Sequence, residues 1–91
     1  MKVITLAAWR RPEYFQEVIK SLQNAEGVGD YTILISIDGG YPQRQTEMLA
    51  ILRESKLNYE TFIHEGNLGC AGNTGFILKK GFDRADRVIH F

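Results

Sequence analysis

Asn67-Leu68-Gly69-Cys70-Ala71-Gly72-Asn73-Thr74-Gly75 is the stretch that decides the fold. An alternating run, Tyr59-Glu60-Thr61-Phe62-Ile63-His64, precedes it, and a helix-like run from Phe76 to Phe82 follows. Three glycines and two asparagines with no large branched side chain form a turn between a strand and a helix. Backbone this bare can come very close to a ligand. N–H groups at a helix start carry partial positive charge that suits a phosphate. Taken alone, the stretch is better explained as a turn and nothing more.

The same strand-then-helix pattern continues outward. Lys2-Val3-Ile4-Thr5-Leu6-Ala7 is β-rich and nearly continuously apolar, as a strand covered on both faces is. Pro12 and Glu13 suit a helix start, and Tyr14, Phe15, Val18, Ile19 and Leu22 give one apolar face. That helix should stop near Asn24, before Gly27 and Gly29. Tyr31-Thr32-Ile33-Leu34-Ile35-Ser36-Ile37 is a second buried strand ending at Asp38-Gly39-Gly40. Pro42 opens a second helix with Met48, Leu49, Ile51 and Leu52 toward the core, and Phe76, Ile77, Leu78 and Phe82 do the same for the third. The expected elements are strands over 2–8, 31–38, 59–64 and 87–91, and helices over 12–25, 42–55 and 70–83. This alternation predicts the α/β class: three α/β/α layers around a mainly parallel sheet of about four strands. Ligands bind such sheets beyond the carboxyl ends of the strands.

Ninety-one residues allow one small domain, 1–91, with a modest core. Zero formal net charge and the lack of a basic stripe argue against a nucleic-acid partner held by phosphate neutralisation. A lone cysteine, Cys70, excludes an internal disulfide. Met1 to Ala8 lack a long apolar region and a cleavage site, and no apolar run is long enough to span a membrane. A cytoplasmic location is the expectation.

Asp38 is the sharpest candidate for chemistry. It stands where a buried strand meets two glycines, Gly39 and Gly40, with room expected beside its carboxylate. It can accept hydrogen bonds from a ribose hydroxyl or a base N–H, or it can serve its own turn, as Asp-Gly pairs do. Ala7 and Ala8 leave space for a flat ring, and Trp9 can stack on one or pack as core. Arg10 and Arg11 can hold a diphosphate, or solvate a helix entry. His64 and His90 lack partners at metal-ligand spacing and are assigned structural roles. Cys70 has no acid–base pair nearby in sequence. Neither a Walker pattern nor Gly-x-Gly-x-x-Gly occurs.

Three segments in order carry a resemblance: Ala7-Ala8-Trp9-Arg10-Arg11-Pro12, Ile35-Ser36-Ile37-Asp38-Gly39-Gly40, and Asn67-Leu68-Gly69 leading through Gly72-Asn73-Thr74-Gly75. Together they resemble the nucleotide-sugar-binding half of inverting glycosyltransferases of the A-type fold, the family-2-like group. The closing Asp86-Arg87-Val88-Ile89-His90-Phe91 looks like the strand that leads into that family's acidic metal-binding motif. The resemblance implies that Ala7, Ala8 and Trp9 cradle the nucleobase, with Arg10 close by. It implies that Asp38, followed by Gly39, contacts base or ribose. It implies that Asn67, Gly69, Gly72 and Asn73 line the nucleotide and diphosphate region. The implied partner is a nucleoside-diphosphate sugar, and the parent enzyme is expected to use divalent manganese or magnesium. No metal ligands are identified in this chain, because the acidic motif would begin after Phe91. The chain is therefore expected to be the N-terminal part of a larger glycosyltransferase domain, inactive alone, with an exposed edge strand through which copies could associate. Two readings compete with it. One is a non-catalytic α/β module acting through self-association. The other is half of a sugar-1-phosphate nucleotidyltransferase, for which Ala7-Ala8-Trp9 lacks the needed glycine-rich, arginine-bearing loop.

Overall fold

The computed structural model describes residues 2–91. It contains strands β1 (Val3–Ala8), β2 (Thr32–Ile37), β3 (Tyr59–Ile63) and β4 (Val88–His90), and helices α1 (Pro12–Gln23), α2 (Pro42–Ser55) and α3 (Gly69–Arg84). A single 3-10 turn, Val28–Asp30, is the one element the sequence did not announce. Gly27, with φ +79°, turns the chain into it. The other bounds lie within two residues of expectation, and those of α2 coincide with it.

All four strands are parallel, in the order β3-β2-β1-β4. The chain steps outward from β1 to β3 through α1 and α2, then returns along α3 to lay β4 on the far side of β1. A right-handed crossover that reverses direction must use the opposite sheet face. Accordingly α1 and α2 pack on one face and α3 on the other, which makes three layers. The α1/α2 face holds the larger core: Ile4, Leu6, Ile33, Ile35 and Ile37 against Phe15, Ile19, Leu22, Met48 and Leu52.

The α3 face is built differently. Its apolar cluster is Val3, Leu34 and Ile77. The residues of α3 that meet the sheet are Asn73, Ile77 and Gly81, four apart on one stripe. A Cβ at Gly81 would lie 2.7 Å from the Thr5 methyl, so glycine lets the helix settle onto β1. Burying Ile77 contributes roughly 1.5–3 kcal/mol. The hydrogen bonds of buried Asn73, at about 1 kcal/mol each, are of similar total weight. Polar bonding therefore fixes this layer as much as apolar burial does. Phe82, expected in the core, is exposed because it lies one residue past the Gly81 contact and turns off the stripe.

The outer end of α3 is tied to β3 by a bidentate pair in which both terminal nitrogens of Arg84 donate to the Glu60 carboxylate. Arg84 holds the Glu60 carboxyl below the usual carboxylate range, mainly through that hydrogen bond. A depressed folded-state pKa means the pair stabilises the fold fully above the unfolded value. The contribution is lost as pH falls through the folded value. Both groups are largely solvated, so the effect is small and salt-screened. We expect Glu60→Gln to shift the urea midpoint slightly downward at pH 7. Below the ordinary carboxylate range, wild type and variant should converge.

Candidate functional site

Strand order reverses between β1 and β4, and loops diverging from a reversal leave a crevice at the carboxyl ends. The chain has a cavity of about 130 Å³ there, lined by Ala7, Trp9, Asp38, Cys70, Asn73, Thr74 and His90. A larger hollow of about 710 Å³ lies at the opposite end of the sheet, along Lys2, Tyr31 and residues 82–87. Its lining is charged, with Lys2, Asp83, Asp86 and Arg87 among it, but it lies away from the carboxyl ends where ligands bind such sheets, so the smaller cavity is the better candidate.

Asp38 closes the end of β2 and is only 3% exposed. Its Oδ1 accepts from the N–H of Gly39 at 2.9 Å and of Leu68 at 2.6 Å. Its Oδ2 accepts from the N–H of Gly69 at 3.1 Å. The carboxylate thus caps the start of α3 from the neighbouring strand. Two of the N–H groups expected to face a phosphate, those of Leu68 and Gly69, are already engaged. Oδ2 takes only one of these bonds and keeps an acceptor position free. Gly69 also donates to Asn67 Oδ1 at 2.7 Å, and its φ of +77° is the left-handed conformation this turn requires.

The expected room beside Asp38 is filled by protein. A Cβ on Gly39 would lie 2.5 Å from the Glu65 carbonyl carbon and 2.6 Å from its oxygen, and would also strike Gly66 O. Gly39 is bare because the β3–α3 loop rests on it. Gln45 reinforces the junction: its side-chain amide donates to the carbonyls of Asp38 at 2.9 Å and His64 at 2.8 Å.

Asn73 sits behind this layer, 2% exposed. Its amide nitrogen donates to Ala8 O at 3.0 Å and Ser36 O at 3.2 Å, and its Oδ1 accepts from the Ser36 hydroxyl. Ser36 has one proton to give and gives it to Asn73. His64 Nε2, 2.7 Å from the same hydroxyl, must then be the donor. The His64 ring meets Phe76 edge-on, with centroids 4.5 Å apart. His90 Nδ1 pairs with buried Thr5 Oγ1 at 2.8 Å.

Trp9 stands at the rim, 39% exposed, rather than in the core. The Arg10 guanidinium lies 4.5 Å from its ring centre and 5.3 Å from that of Tyr41. Arg10 Nη1 donates to the Tyr41 hydroxyl at 2.6 Å. Arg11 and Trp9 edge an apolar groove along Leu6, Ala8, Phe15 and Val18.

The fold therefore gathers Ala7, Trp9, Asp38 and Asn73 at one cavity, with Asn67, Gly69 and Gly39 in its supporting wall. Ala8 contributes its carbonyl, which accepts from Asp38 N–H and Asn73. Arg10 stacks on Trp9 without lining the cavity, and a Cβ on Gly72 would lie 3.3 Å from Leu68 Cβ. Sequence reasoning did not pick out Ser36, Gln45, Thr5 or Tyr41. Each makes a bond across 28 or more residues, except Gln45, which bridges two strand ends. Among the described residues no three His, Cys, Asp or Glu side chains come together to hold a metal ion, and Asp38 already accepts from three backbone N–H groups. These residues do not by themselves make a divalent-ion site.

No family model, curated protein or solved structure matches this chain. Among the described residues no helix is long and apolar enough to cross a membrane.

Proposed function

We propose that the carboxyl rim of this sheet is a seat for a nucleoside-diphosphate sugar. The chain would then be the donor-binding part of a glycosyltransferase that moves a sugar to a hydroxyl acceptor, in a fold resembling that of nucleotide-diphospho-sugar transferases. The observation that carries this reading is that Trp9, Asp38 and the start of α3, drawn from three separate strand ends, line one cavity at the strand-order reversal. Trp9 offers an aromatic face to a base. Asp38 Oδ2 retains an acceptor position for a ribose hydroxyl. Since Asp38 occupies two N–H groups of the α3 turn, the diphosphate falls chiefly to the Arg10 and Arg11 side chains.

Trp9 is the single tryptophan, so its emission reports on the rim without ambiguity. Titration with UDP, GDP and dTDP, each with manganese, should give a saturable emission change for at least one nucleotide. No change with any of them would contradict the reading. One observation favours self-association instead: β4 is an edge strand, and its Ile89 and the following Phe91 are 50% and 49% exposed. Dimers in sedimentation together with nucleotide silence would select that alternative.

A further inference from the structure

Arg10 is the cation nearest the Trp9 ring, yet in this structure it is engaged on its own surface. It lies 4.5 Å from the Trp9 ring centre, so it covers ring surface a base would need. Its Nη1 donates to the Tyr41 hydroxyl, which holds the guanidinium where it is. Tyr41 itself is fixed: it precedes Pro42 at the start of α2, and its carbonyl accepts from Gln45 N–H at 3.0 Å. Gln45 is the residue that clamps the ends of β2 and β3. The holding group thus stands on a rigid junction, while Arg10 stands in the β1–α1 loop with neither element's backbone ladder restraining its side chain.

We infer that Tyr41 is a latch on Arg10. With the site empty, Tyr41 parks the guanidinium against Trp9. A nucleoside diphosphate unparks it, because its phosphates offer charged acceptors where Tyr41 offers one neutral oxygen. The bond to Tyr41 is charged at its donor only, whereas a bond to phosphate is charged at both ends and can be bidentate, which makes it the stronger. The same movement uncovers the Trp9 ring for the base. Tyr41 is a positioning residue here and touches no reacting atom. This inference rests on the nucleotide reading above. It adds that the resting pose lowers apparent affinity by the fraction of molecules in which Arg10 is parked.

The latch makes a prediction of unusual sign. Tyr41→Phe keeps the ring and removes the hydroxyl that holds Arg10. It should tighten UDP by about 2- to 10-fold, the equivalent of one ordinary hydrogen bond. Arg10→Ala should weaken UDP binding and blunt its salt dependence. Uridine has no phosphate to draw Arg10 away, so it should bind wild type more weakly than it binds Arg10→Ala, where the ring is already bare. Calorimetry of UDP and uridine with the three proteins, at two salt concentrations, reads all of this. Equal or weaker UDP binding by Tyr41→Phe overturns the latch, since it would mean that Tyr41 either does nothing or pre-orients Arg10 for phosphate. Wild type that binds neither UDP nor uridine overturns the nucleotide seat itself, and the latch with it. A far-ultraviolet spectrum and a urea midpoint matching wild type establish that Tyr41→Phe is folded.

Discussion

Asp38→Ala is expected to lower the unfolding free energy by about 2–4 kcal/mol, with Gly39 and Leu68 N–H left without their acceptor at roughly 1–3 kcal/mol per orphaned buried donor. The Gly69 N–H keeps Asn67 Oδ1, so it adds little. Leu68 is partly reached by water, which holds the total below the sum for fully buried groups. Asp38→Asn should cost less, because one carbonyl oxygen still accepts from Gly39 and Leu68 while its NH₂ opposes Gly69 N–H. The urea midpoints of the two variants, at equal slope, measure this ordering. A midpoint for Asp38→Ala within a few tenths of a kcal/mol of wild type would mean that the α3 start does not depend on this carboxylate. Any loss of nucleotide affinity in Asp38→Ala must be measured where the variant remains folded. The same side chain builds the seat and is proposed to face the ligand.

Gly39→Ala is expected to be nearly as damaging, by about 2–3 kcal/mol, near the upper end for inserting a methyl group into a packed site. The new Cβ would meet backbone atoms of Glu65 and Gly66, which cannot rotate away as a flexible side-chain end could. The β3–α3 loop would have to lift, stretching the Gly40 N–H bond to Glu65 O, now 3.3 Å, and the Gln45 clamp. Gly66→Ala, one position away across the contact, meets open space and serves as the control. Near-equal denaturation midpoints for the Gly39 and Gly66 variants would contradict the packing described here.

Layer order was legible in the sequence because strands buried on both faces leave nearly unbroken apolar runs, as 3–8 and 32–37 do. Helix bounds followed from Pro12, Pro42 and the glycines after Asn24. Less was legible about the site. Asp38-Gly39 suggested an open place for a ligand, but the space over Gly39 belongs to the loop at 65–66, and nothing local in the sequence indicates that. Asn73 was expected to face nucleotide, whereas its amide is engaged by Ala8, Ser36 and the Ser36 hydroxyl. Ser36 and Thr5 are polar interruptions in apolar strands. They make sense only once register sets them beside His64 and His90. Such pairings depend on how strands and helices are superposed, which periodicity does not encode.

The ends of β1 and β2 and the start of α3 are proposed to make one seat for a nucleoside diphosphate. The most direct test is an amide chemical-shift map of the ¹⁵N-labelled chain as UDP, GDP and dTDP are added. Shifts at 7–10, 38–40 and 67–73 should move together, with a common saturation curve. Shifts confined to the hollow around Lys2, Tyr31 and 82–87, or no shifts at saturating nucleotide, would contradict it.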